Sequence, residues 1–139
     1  MTKKGIDFSL GERGLNKVLD RRPFVKGVLI FEEGQHARDA FVILRGEVEI
    51  VSRNKAGQTV VLTTLSKGKM FGELALMADS KRTASARAGE DCEVLVISQD
   101  VFKKKLEDAD PLLQFWINQL ADRVIDLSKR VTSPPKAGP

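Results

Sequence analysis

Apolar residues between positions 28 and 98 gather into six short runs: VLIF (28–31), AFVIL (40–44), EVEIV (47–51), TVVLTTL (59–65), SARA (85–88) and EVLVI (93–97). Runs of this length, rich in Val, Ile and Phe and bounded by turn residues, are strand signals. Gly27, Gly34, Gly46, Gly57, Gly68, Gly72 and Gly89 fall near their ends, where turns need unusual backbone angles or close approach. In EVEIV, Glu47 and Glu49 alternate with Val48 and Ile50, which predicts one wet and one dry face. Other runs are apolar on both sides. Asn54-Lys55-Ala56-Gly57 reads as a hairpin loop. Many short strands at regular spacing predict a mainly β chain, an antiparallel sandwich or barrel.

Helical patterns bracket this region. Ahead of it, Leu15, Val18 and Leu19 recur at helical spacing and Pro23 stops the segment. Behind it, Ser98 is placed to N-cap a short helix through Leu106, and Pro111 stands at a first-turn position. From there Leu112, Phe115, Trp116, Gln119, Leu120, Arg123, Val124, Leu127 and Val131 follow the i, i+3, i+4, i+7 pattern of a long amphipathic helix. A helix so apolar on one side must lie across the barrel, pair with another chain, or do both. The tail SPPKAGP has two adjacent prolines and no apolar pattern, which predicts disorder over 133–139.

Composition narrows the function. The chain has 139 residues, 42% hydrophobic and 30% charged, which suits one domain. No stretch approaches the roughly 18 apolar residues of a membrane span, and the N-terminus has no apolar run behind its lysines, so a cytoplasmic protein is expected. Cys92 is the only cysteine and His36 the only histidine, which leaves no Cys/His metal cluster and no internal disulfide. The net charge of +4 suits an anionic partner, but the cations are dispersed. The run Lys103-Lys104-Lys105 lies between Phe102 and Leu106 and reads as a solvated helix face.

One segment poses a charge problem. In FGELALMADSKRTASA (71–86), Glu73 and Arg82 flank a short apolar run and its turn. If Gly72 ends a strand and Glu73 opens one or two helical turns, the first backbone N–H groups have no internal partner and favour an anion. Arg82 can offer its planar fork to phosphate oxygens, and the Thr83 hydroxyl adds a donor. A carboxylate beside a phosphate repels it, so Glu73 must face a group that donates hydrogen bonds, such as a ribose hydroxyl. Sugar and phosphate together describe a nucleotide.

The segment resembles the phosphate-binding cassette of the cyclic nucleotide-binding domain family, with its pattern Phe-Gly-Glu-Leu-Ala-Leu, a short turn, then Arg-Thr/Ala-Ala-Ser/Thr. The likeness runs back through GVLIFEEGQHARDAFVILRGEVEIV and forward through VLVISQDVFKKKL, covering roughly residues 15–131. The resemblance implies an antiparallel β-roll, a jelly-roll-like barrel spanning about 24–98. An N-terminal helix, a short phosphate-binding helix and C-terminal helices over about 98–131 would flank it, in a single domain over 1–132. It implies cyclic AMP as ligand, with cyclic GMP as a second candidate. Glu73 then takes the ribose 2′-hydroxyl. Gly72 lets the ligand approach, the backbone of Leu74 and Ala75 and the Arg82 side chain take the cyclic phosphate, and Thr83 lines phosphate or base. Ile50, Leu62 and Thr63 correspond to strand positions under the base, and Leu127 or Ser128 to the contact of the capping helix.

The residues favour a regulatory binding module over an enzyme, since no catalytic set, metal site or cofactor site is visible. A scaffold or dimerisation domain of the same fold that no longer binds nucleotide is the alternative. A regulator of the catabolite activator type would need a helix-turn-helix after the long helix, and the sequence leaves no room for one, so direct DNA binding is not expected. The expected partners are the nucleotide and either a second copy paired through the C-terminal helix or a separate effector. Whether the chain is a piece of a larger channel, kinase or regulator stays open.

Overall fold

The computed structural model describes residues 19–132, with side chains described as far as Leu127. Eight strands form two four-stranded sheets: β1 (Asp20–Phe24), β2 (Leu29–Phe31), β3 (Asp39–Arg45), β4 (Val48–Arg53), β5 (Thr59–Leu65), β6 (Met70–Phe71), β7 (Ser85–Ala88) and β8 (Cys92–Ser98). One sheet has the order β1-β8-β3-β6 and the other β2-β7-β4-β5, with antiparallel pairings throughout. Three helices are described: α1 (Glu73–Met77), α2 (Gln99–Glu107) and α3 (Pro111–Thr132). The fold is the mainly β roll with flanking helices expected of the family resemblance.

The strand patterns explain the layering. Phe41 and Ile43 of β3 join Val48, Phe71, Ala86, Ala88, Cys92, Val94 and Val96 in the principal buried cluster. Their neighbours Val42 and Leu44 turn the other way and pack with Leu95, Leu19 and Ile97. The uninterrupted apolar run AFVIL is thus a strand covered on both faces. Val48 of EVEIV is fully buried, while Glu49 stays partly exposed and pairs with Arg87. The β4–β5 hairpin closes on Asn54, whose side-chain oxygen accepts from the backbone N–H of Ala56 and of Gln58, each at 3.0 Å.

The helix signals hold at their caps. The Ser98 hydroxyl accepts from the Val101 N–H at 3.2 Å and starts α2. Asp110 Oδ1 accepts from the Leu112 N–H at 2.8 Å where α3 begins on Pro111. The Gln114 side chain donates back to the carbonyls of Glu107 and Ala109, so α2 hands directly into α3.

Two elements are not legible in the sequence. Asp20–Phe24, DRRPF, is a strand and extends the roll ahead of residue 24. It pairs with β8 from Asp20 opposite Val96 to Phe24 opposite Cys92, so Pro23 sits in an edge strand rather than closing a helix. An edge strand tolerates proline because one row of its backbone groups has no ladder partner. The helical pattern at Leu15 and Val18 lies outside the described residues, as does the tail over 133–139. The two-residue β6 is too short to leave a periodic mark.

Candidate functional site

β6 delivers the chain to Gly72, which N-caps α1 with φ 78° and ψ 2°. Glycine is required there for two reasons. The angle lies in the left-handed region, and a Cβ would stand 2.8 Å from Arg82 Nη1 and 3.1 Å from Phe31 Cε2. α1 is then anchored by Leu76, which is buried, and packs against β3 and α3. Its first backbone N–H groups, those of Glu73, Leu74 and Ala75, have no partner within the helix.

A turn follows, and the backbone of the β2–β3 loop pins it. Ala37 N donates to Ser80 O at 3.0 Å, Arg82 N to Gln35 O at 2.7 Å, and Gly34 N to Arg82 O at 2.9 Å. These bonds fix where the Arg82 side chain starts. Its guanidinium is drawn into the protein, where Nη1 donates to Gly72 O at 2.6 Å and Nη2 donates to Asp39 O. Arg82 is 5% exposed and is the buried charged residue of the described core. Burial pushes its basicity down, while the charges of Asp39 and Glu73 act to raise it. An arginine stays protonated in such a setting, so a fixed cation is stored beside the cap of α1.

Beside it opens a cavity of about 240 Å³. Its polar side carries Gly72, Glu73, Leu74, Ala75, Arg82 and Thr83, and its apolar side Phe31, Ile50, Leu65, Met70, Phe71 and Ala84. The arrangement offers a carboxylate acceptor, helix N–H donors, a cation and a hydroxyl above an apolar floor. That set can hold a ligand with an anionic group, a hydroxyl that donates, and a flat apolar part. Among the described residues no cluster of three His, Cys, Asp or Glu side chains is placed to hold a metal ion.

Of the residues singled out from the sequence, Gly72, Glu73, Leu74, Ala75, Arg82, Thr83 and Ile50 meet at this cavity. Leu62 and Thr63 are not among its lining residues. Both are exposed on β5, the edge of its sheet, where the register slips between Ile50 and Val51. Leu65, at the inner end of the same strand, lines the cavity instead. Leu127 is 57% exposed and does not line it, and the Ser128 side chain lies outside the described residues. Phe31, Leu65, Met70, Phe71 and Ala84 complete the lining, and the sequence reading does not single them out. Phe31, Phe71 and Ala84 stand inside the two motif-bearing segments, which is the available signal. Met70 carries none.

Cys92 is buried at the start of β8, and burial pushes its thiol up, as expected of a core cysteine. Lys103, Lys104 and Lys105 lie on the exposed face of α2.

The sequence and fold of this chain have relatives among known proteins. The family model for the cyclic nucleotide-binding domain matches residues 21–109. The chain is 30% identical over 105 residues to the cAMP-activated global transcriptional regulator CRP of Haemophilus influenzae, covering 75% of this chain and 47% of that protein. It is 31% identical over 127 residues to the mouse cGMP-dependent protein kinase 2, covering 88% of this chain and 17% of the kinase. It spans less than half the length of either relative. Among solved structures, an EAL enzyme in its cAMP-bound form aligns with TM-score 0.64 and 28% identity, over 81% of this chain and 30% of that one. The cGMP-bound form of the same enzyme gives 0.65 and 29%, over 80% and 30%. With the match spanning most of the roll and the cassette that carries Glu73 and Arg82, this chain belongs to the cyclic nucleotide-binding domain family.

Proposed function

We propose that this chain is a regulatory module that binds cyclic AMP in preference to cyclic GMP and passes the event on through its C-terminal helix. It acts in the cytoplasm and releases its ligand unchanged. The observation that carries this reading is that Glu73 and Arg82, opposite in charge and close in sequence, line one cavity together with the N-terminal backbone of α1. In the bound state Arg82 and the N–H groups of Leu74 and Ala75 hold the cyclic phosphate. Glu73 accepts from the ribose 2′-hydroxyl. The purine rests against Ile50, Leu65 and Met70, near Thr83.

The route outward is equally short. α1 packs on α3, and Leu76 and Met77 of α1 share a second cavity of about 230 Å³ with Ala121, Asp122 and Ile125 of α3. Incomplete packing at that junction leaves room for α3 to settle differently when the cassette is occupied. Ligand contacts formed in only one arrangement shift the population toward it.

Calorimetric titration with cyclic AMP and cyclic GMP tests the reading. Arg82→Ala is expected to weaken binding by roughly 2–4 kcal/mol, because it removes a charge-assisted contact from a buried position. A parent chain that gives no heat with either nucleotide leaves the scaffold reading in its place.

A further inference from the structure

Asp79 stands in the turn between α1 and Arg82, and it alone among the described non-glycine residues has a positive φ, 50°. Aspartate tolerates that backbone region better than most side chains. Its Oδ1 lies 2.9 Å from His36 Nε2, in the β2–β3 loop, and accepts from Gln99 Nε2 at 3.2 Å. Gln99 is the first residue of α2. The bonds from His36 and Gln99, with the nearby Lys103 ammonium, hold the Asp79 carboxyl below its ordinary range.

Three elements therefore meet at one carboxylate. The loop is joined to the turn by the backbone bonds at Gly34, Arg82 and Ala37, and to α2 by Gln99 N donating to Arg38 O at 2.9 Å. The turn reaches α2 through Asp79. The geometry points to Asp79 as a positioning residue that couples the segment bearing Arg82 to the start of α2, by a carboxylate bridge between His36 and Gln99. α2 continues into α3 through the Gln114 contacts, so a shift at the turn has a polar path to the long helix in addition to the apolar packing of α1. That this path reports on a ligand rests on the cavity reading above. The mechanical link itself does not.

The test is hydrogen exchange on the ligand-free chain, comparing the parent with Asp79→Gly and Asp79→Asn. Glycine keeps the positive φ and deletes the carboxylate, whereas asparagine tolerates the angle and keeps an acceptor oxygen. With Asp79→Gly, the amides of Ser80 and Arg82 and those of Gln99 and Val101 are expected to exchange at least about threefold faster, while Asp79→Asn stays within about twofold of the parent. Acceleration at one segment only, at neither, or equally in both variants overturns the coupling. Calorimetry with cyclic AMP on the parent runs alongside. Absence of binding there removes the cavity reading and leaves the exchange result for Asp79 standing.

Discussion

The Arg82 guanidinium carbon lies 3.9 Å from the centroid of the Phe31 ring, so the buried cation rests on an aromatic plate. Phe31 is itself braced by Phe41 and Phe71, each with its ring centroid 6.0 Å away. A desolvated cation over an aromatic face gains about 1–2 kcal/mol, and the two carbonyl acceptors at Gly72 and Asp39 then set its rotation.

Phe31→Leu keeps an apolar side chain but removes the plate. It is expected to weaken cyclic AMP binding by about three- to tenfold, since the guanidinium loses part of its fixed orientation. Thermal unfolding should show a loss of about 1–2 kcal/mol from the aromatic cluster. Calorimetry and denaturation together check both parts, and a variant that binds like the parent excludes the plate as a positioning device.

Gly72→Ala separates backbone strain from crowding when set beside Gly57→Ala. Both glycines have φ close to 80°, but nothing lies within 4 Å of a Cβ at Gly57, whereas one at Gly72 meets Arg82 and Phe31. Each substitution should cost about 1–2 kcal/mol for the left-handed angle, with a further roughly 1 kcal/mol at Gly72. Only Gly72→Ala should also reduce nucleotide affinity. Equal losses in urea melts, with binding intact in both, would remove the steric argument.

Thr83 is exposed and lines the cavity, and in the proposed binding mode its hydroxyl meets the guanine amino group, which adenine does not present at that position. One such hydrogen bond is worth about 0.5–1.5 kcal/mol, or roughly two- to twelvefold in affinity. Thr83→Ala is therefore expected to lower cyclic GMP binding by that factor and to leave cyclic AMP nearly unchanged. Affinities for both nucleotides on both proteins check it, and an equal effect on the two ligands means that Thr83 does not read the base.

α3 turns Asn118, Ala121, Asp122 and Ile125 toward α1 and α2, while Leu112, Phe115, Trp116, Leu120, Val124 and Leu127 remain exposed along its length. So long an apolar stripe is expected to pair two copies of the chain. Sedimentation over a range of concentrations should show a dimer that Leu120→Glu disperses. A parent that stays monomeric at every concentration points instead to a separate effector on this face.

Local chemistry determined much of this protein. VLIF, AFVIL, TVVLTTL and SARA became strands within a residue or so of their sequence limits, and Ser98 and Pro111 began their helices, because strand alternation and helix capping act within a few positions. The cassette was legible for the same reason: Gly72, Glu73, Arg82 and Thr83 are close in the chain, and their residue types state the charge and the turn that the segment needs. Only the tertiary structure decided the rest. DRRPF is a strand because β8 offers it a free edge, not because its own side chains alternate. Leu65, rather than Leu62 or Thr63, reaches the cavity because it pairs opposite the fully buried Val48 and packs on the principal cluster, whereas Leu62 and Thr63 lie further along an exposed edge strand. Arg82 lies on Phe31 and binds the Asp39 carbonyl because the two sheets bring β2, β3 and the cassette together, and such contacts depend on strand order, which no short stretch of sequence encodes.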